Sequence, residues 1–453
     1  MLNNNLSYYK KATTFDAIGN AIRLDVPLEP NHEFYTDFAD VRGDFEDKVI
    51  YATLNVRSKS FDSKANYGNK VLLFLAGMRG SGKTSELAKM SKKLHNKDCF
   101  FCVTCNLDDG LNINDMEYMD ILIFQMERLF EELEKNDISL DNDIIEDLQS
   151  WFGERVKEVN KVLKFGISLD VEAEAKSPQI LKWFSFFSII GKLKANVSGS
   201  KENADKVRTV FKNNFSDFAN KFNSFVEYVN MQLRNQGVAQ EILFIIDGLE
   251  KVATSDIRRK VILEETNYIR QIKVNTIFTL PIELMSESQK LSSFCRVVSF
   301  PFVKIKEKNG EIVEEAIARF EDFVYKRIDK SFFDSEDTVR KAILFGGGSP
   351  RELLRILEYA YIWADEDAKI ITIKDLDKAI KKLAAETSQY ITQEDVDKLK
   401  VLKEANDADI DVLFDETWQD LLEKLIVLEY NDGTYKRVHP IVEASKLYQH
   451  YVG

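Results

Sequence analysis

Residues 70–84 read KVLLFLAGMRGSGKT, an apolar run that breaks into glycines and ends in Lys-Thr. An apolar run of this length suits a buried strand. KTSELAKMSKKL, from Lys83 onward, suits a helix, and CFFCVTCNL, 99–107, suits a second strand. Together they predict a strand–loop–helix–strand unit at the start of a parallel sheet. The loop matches G-x-x-x-x-G-K-T. Gly77, Gly80 and Gly82 let backbone N–H groups converge without a Cβ in the way, and the free N–H groups of the following helix favour an anion. The stretch from Gly77 through Met78, Arg79, Gly80, Ser81, Gly82, Lys83 and Thr84 to Ser85 is therefore the expected cradle for a triphosphate, with ATP as the ligand. Lys83 is placed to reach the β and γ phosphates, and the Thr84 hydroxyl suits Mg²⁺.

Such a loop needs an acid at the end of another apolar strand to hold the magnesium shell. Asp247, closing EILFIID at 241–247, meets that requirement. Many ATPases place a second, water-activating acid directly after the first. Here Gly248 occupies that position, and the next acid is Glu250, the candidate for activating water. Two further apolar runs follow, KVNTIFTLP at 273–281 and CRVVSFPFVKI at 295–305. Near-continuous apolar strands point to a parallel sheet covered on both faces. Thr279 is expected at a strand end beside the γ-phosphate. Arg351, after Gly346-Gly347-Gly348-Ser349-Pro350, is expected to open a helix that brings positive charge to it. Arg296, ahead of the last strand, is a weaker candidate for reaching a neighbouring subunit's nucleotide. Each of these has a plain structural alternative as a cap, strand-end or surface residue.

Between the two halves of this core lies a long helical region. Leu122, Met126, Leu129 and Leu133 recur at helical spacing, as do Val207, Phe211, Phe215, Phe218, Phe222, Phe225 and Val229 over what reads as one long helix. ISLDVEAEA, 167–175, alternates like an exposed strand. ILKWFSFFSIIGKLKANV, 180–197, is the most membrane-like stretch, but three lysines interrupt it, and an amphipathic or partner-binding hairpin is expected instead. After residue 310 the chain reads as helical, then as a helix and a hairpin turned at Asn431-Asp432-Gly433.

The 453 residues leave room for roughly two to four domains, and a net charge of -13 argues against general attraction to nucleic acid. No apolar leader opens the sequence, so a cytoplasmic location is expected, without membrane attachment. Four cysteines make no disulfide framework. Cys99, Cys102 and Cys105 lie close in sequence, but within a strand Cys102 is expected to face away from the other two, so buried thiols are favoured over a metal site. The four histidines are scattered and suggest no nuclease, protease or deaminase arrangement.

Taken together, GMRGSGKT, IIDGLEK, Thr279 and GGGSPRELLRI resemble the AAA+/STAND branch of P-loop ATPases. Thr279 matches that branch's first sensor, and Arg351 the second sensor of its initiator-like members. The resemblance implies an α/β fold, a P-loop parallel sheet of the ASCE type, with a helical insertion, a helical lid and a winged-helix tail. It covers roughly residues 35–110 and 237–453, and the expected division is 1–110 as an N-terminal segment and first half-core, 111–236 as the insertion, 237–305 as the second half-core, 306–385 as the lid and 386–453 as the winged helix. It also implies hydrolysis of ATP to ADP and phosphate, and the departure from the pattern at Gly248, where the second acid is missing, makes slow or partner-stimulated turnover the expectation. The implied role is a switch or assembly ATPase that forms homo-oligomers or controls an effector protein, as in bacterial antiphage systems. The alternative is a DNA-associated initiator or transposition regulator. Residues 391–453 carry 14 acidic and 7 basic side chains, a balance unsuited to a phosphate backbone. A RecF- or SMC-like ATPase is disfavoured because VSGSKE, 197–202, is a poor signature, and a small-molecule kinase is disfavoured by chain length and lid.

Overall fold

The computed structural model describes residues 9–24, 26, 28–42, 47–57, 59–62, 69–162, 178–365, 367–408, 410, 412, 416–431 and 435–453. The strand expected at 167–175 and the turn residues Asp432 and Gly433 lie outside that set.

Five parallel strands form the central sheet: β1 (Leu72–Gly77), β2 (Phe100–Asn106), β3 (Glu241–Asp247), β4 (Asn275–Pro281) and β5 (Arg296–Ser299), in the order β2-β3-β4-β1-β5. Strand β4 therefore separates the loop-bearing β1 from the Asp247-bearing β3. Alternate residues feed two cores, which is why these strands read as unbroken apolar runs. Leu73, Leu75, Leu243, Ile245 and Ile277 pack against Leu87, Met90 and Leu94 of helix α1 (Lys83–Leu94). Phe74, Phe244, Ile246 and Phe278 face the helical insertion. The sheet is thus α/β with both faces covered.

The insertion comprises α2 (Tyr118–Lys135), α3 (Asn142–Val162), α4 (Pro178–Val197), α5 (Lys201–Asn213) and α6 (Phe215–Asn235). It joins the core directly: Phe222 of α6 stacks on Phe244 of β3, with ring centroids 6.5 Å apart. Arg208 of α5 is buried on Asp120 of α2, donating to its carboxylate at 2.6 Å. Two expectations are corrected here. The long helix running from Val207 to Val229 divides at Asn214, although all seven apolar residues are buried. Asn214 leaves helical geometry at φ -115°, ψ 21°, while its amide donates to the Val210 carbonyl and its side-chain oxygen accepts from Arg155. Such local side-chain bonds compete with helix continuation. The 180–197 stretch is part of the single helix α4, not a hairpin. No helix among the described residues is long and apolar enough to cross a membrane.

The cysteines also differ from expectation. Cys99 precedes β2, so strand alternation does not reach it. It shares a core with Cys102, and Cys105 faces the other core.

The run at 295–305 keeps to the sheet only as far as Ser299. Pro301 has no N–H to continue a ladder. Beyond it, the Phe302 N–H donates to the Glu429 carbonyl and the Val303 N–H to the Gly348 carbonyl. This segment is therefore the seat for everything C-terminal. Helices α7 (Glu314–Tyr325), α8 (Glu336–Phe345), α9 (Pro350–Trp363) and α10 (Ile373–Ser388) share one core with N-terminal residues, among them Tyr9, Phe34 and Phe38. Helix α11 (Gln393–Asp407) and the antiparallel pair β6 (Val427–Tyr430) and β7 (Tyr435–Val438) form a further core that includes Met78 of the glycine loop. The hairpin's basic residues are paired internally: Lys436 with Glu429 at 3.4 Å and Arg437 with Glu443 at 3.5 Å.

His439 follows β7 and is buried, its Nδ1 accepting from the Ile441 N–H. Burial, with help from Arg355, pushes its pKa down to about 3. The unfolded chain takes up a proton near pH 6.5, while the folded chain does so only near 3, so stability is lost as pH falls between those values. His439→Asn keeps a capping acceptor without the titration. Between pH 7 and 5 the wild type should lose about 2 kcal/mol more than this variant in denaturant unfolding. Equal losses would show that His439 does not titrate in this way.

Candidate nucleotide site

The glycine loop sits at the carboxyl end of β1, where Gly80 and Gly82 take positive φ of 81° and 95°. Gly82 caps α1 without a side-chain acceptor, so the first N–H groups of this 12-residue helix have no capping bond. The same end of the sheet carries Asp247, because β1 and β3 run parallel with β4 between them.

Thr84 Oγ1 donates to Asp247 Oδ2 at 2.6 Å. Asp247 is buried, and its Oδ1 has no hydrogen-bond partner among the described residues. Burial raises its pKa, and the nearby charge of Glu250 adds to the rise. A buried carboxylate with one oxygen open and a hydroxyl beside it fits a hard cation such as Mg²⁺, which keeps much of its water and takes only one or two protein oxygens. Lys83 is also buried, and its ammonium donates to the carbonyls of Gly77 at 2.7 Å and Met78 at 2.9 Å. Burial lowers its pKa, while Glu250 and then Asp247 act in the opposite direction. Glu250 is thus close enough to act on both Lys83 and Asp247.

Thr279 is fully buried two residues before the end of β4, not at its tip. Its hydroxyl donates to Glu250 Oε2 at 3.1 Å and accepts from the Gly248 N–H at 3.2 Å. In this structure it holds Glu250 in place. Arg351, on the first turn of α9, lies over the loop: a Cβ on Gly80 would come 2.9 Å from Arg351 Cβ. Ser349 Oγ, which caps α9, also donates to the Gly80 carbonyl at 3.4 Å. Arg296 is exposed and opens β5 opposite Leu73, at the far end of the sheet from the loop. It does not join the site of its own chain.

One contributor escaped the sequence reading. Arg42 is buried, donating to the carbonyls of Ser81 and Pro301, each at 2.8 Å, with its guanidinium 4.1 Å from the Phe300 ring centroid. It ties the glycine loop to the segment that seats the C-terminal helices α7 to α10. In sequence it is a lone arginine with no motif around it, so only its burial reveals the role. A cleft of about 860 Å³ begins at Thr84 and Asp247 and runs along α1 and β2 to Phe124, Arg128 and Lys194 of the insertion.

No protein-family model matches the chain, and no curated protein matches it. Among solved structures, Cdc6p from Pyrobaculum aerophilum aligns over 93% of this chain and 97% of that one, at 10% identity and a TM-score of 0.33. A likeness at that level carries neither activity nor partner to this chain.

Proposed function

We propose that this chain is an ATPase of the AAA+ P-loop class, working as a slow switch that binds ATP with Mg²⁺ and hydrolyses it to ADP and phosphate. The observation that carries this reading is the convergence of Lys83, Thr84, Asp247 and Glu250 at one glycine loop, with Arg351 arriving from a separate helical unit. The loop N–H groups and Lys83 bind the phosphates. Thr84 and Asp247 hold the cation, which when bound neutralises charge on the phosphates. Glu250 accepts a proton from water as the water oxygen bonds to the γ-phosphorus and the bond to the ADP oxygen breaks. Arg351 senses whether the γ-phosphate is present and passes that state to the lid and tail. The resemblance to ATPases of bacterial conflict systems makes a second copy or an effector protein the expected partner.

The DNA-binding alternative is not favoured, because Lys436 and Arg437 are already neutralised within the tail. ATP turnover measured with and without DNA or RNA tests both readings. We expect slow turnover that nucleic acid leaves unchanged; no turnover and no ATP binding would refute the ATPase. Glu250→Gln keeps an acceptor for Thr279 but cannot take the proton. It should retain ATP binding and slow hydrolysis by about 10²-fold. Wild-type turnover in that variant would remove Glu250 from its role.

A further inference from the structure

The turn that carries Glu250 is braced from the edge of the sheet. Gly248 begins it at a φ of 100°, and residues Leu249–Lys251 complete it. A Cβ at position 248 would lie 3.1 Å from Asn106 Oδ1 and 3.3 Å from Asp108 Oδ1. The space in which an acid directly after Asp247 would start is thus narrowed by two side-chain oxygens from the end of β2. Asp108 is held there by Lys251, whose ammonium lies 3.0 and 2.9 Å from its two carboxylate oxygens. Glu250 is therefore fixed on two sides: its own carboxylate on Thr279, and the next residue of its turn on Asp108.

We propose that Asp108 and Lys251 form a positioning pair that aims Glu250, so that an acid three places after Asp247 does the work of the one missing at Gly248. This rests on the ATPase reading above. Glycine at 248 suits the arrangement, because it takes the left-handed φ of 100° without strain and leaves room beside the turn. It lets the end of β2 close on the turn, and Lys251 fastens it. Both partners are one-third exposed, so the pair contributes little to stability. Its effect belongs to turnover.

The test uses the full chain with Mg²⁺ and ATP, reading single-turnover hydrolysis beside the Kd of a fluorescent ATP analogue. Asp108→Ala and Lys251→Ala should each slow hydrolysis about 10-fold, with affinity within about 2-fold of wild type and the melting temperature within about 2 °C. The charge-swapped double variant, Asp108→Lys with Lys251→Asp, should recover most of the loss. Unchanged hydrolysis in Asp108→Ala, or affinity falling in step with rate, would overturn the proposal while leaving the ATPase standing. A swap as slow as the single variants would likewise overturn it. A wild type that binds and turns over no ATP would overturn the ATPase reading itself, and this inference with it.

Discussion

Lys83→Ala should reduce ATP affinity by at least about 10²-fold and bring turnover to background. Lys83 is the buried cation of the glycine loop, and its ammonium donates to the carbonyls of Gly77 and Met78. Phosphate binding redirects that charge from two neutral acceptors to the β and γ oxygens, an exchange that strengthens each bond it makes. Alanine removes the cation and leaves the two carbonyls without their donor. A modest fall in stability, about 1–2 kcal/mol, should therefore accompany the loss of binding. Lys83→Arg should not restore function. The planar guanidinium is larger than the ammonium, and the buried ammonium already lies 2.7 and 2.9 Å from two backbone carbonyls. Titration with a fluorescent ATP analogue, beside thermal unfolding of the same samples, separates the two effects. Retained affinity in Lys83→Ala would place the nucleotide elsewhere.

What the sequence revealed, and what it concealed, follows from physical range. The strands β1 to β4 were legible because burial on both faces leaves only apolar side chains along most of their length, and Asp247 stood out as the charge that ends one such run. The motif around Lys83 was legible because backbone convergence demands glycine at fixed spacing. Contacts between distant segments were not. Arg42 meets Ser81 across 39 positions, and Asp108 meets Lys251 across 143, so neither pair leaves a local pattern. Thr279 was visible as a polar residue late in an apolar strand, but its bond to Glu250 depends on the register of two strands and a turn. The break at Asn214 was hidden for another reason: the apolar spacing continues through it, and only the side-chain bonds of one asparagine interrupt the helix.

The attachment of the loop that leads into α9 depends on a still closer fit, and Gly348→Ala should break it. Gly348 takes a φ of 79°, and a Cβ there would come within 1.8 Å of the Val303 carbonyl oxygen, a backbone atom that no side-chain rotation can clear. Gly310 has nearly the same backbone at φ 84°, with open space around its missing Cβ. Gly310→Ala should therefore cost only the left-handed strain, about 1 kcal/mol. Gly348→Ala adds the overlap to that strain and should cost about 3 kcal/mol or more, because relief requires moving the loop off residue 303. The displaced loop carries the Gly348 carbonyl, which accepts from the Val303 N–H, and leads into Ser349 and Arg351 over Gly80. Loss of stability should thus come with weaker ATP binding, although the atoms nearest a Cβ at 348 belong to Val303 and not to the glycine loop. Thermal unfolding of the two variants, with ATP affinity measured on any Gly348→Ala protein that remains folded, checks both parts. Equal melting temperatures for the two alanines would mean that the lid loop yields freely. It would then be too loosely seated for Arg351 to report on the nucleotide.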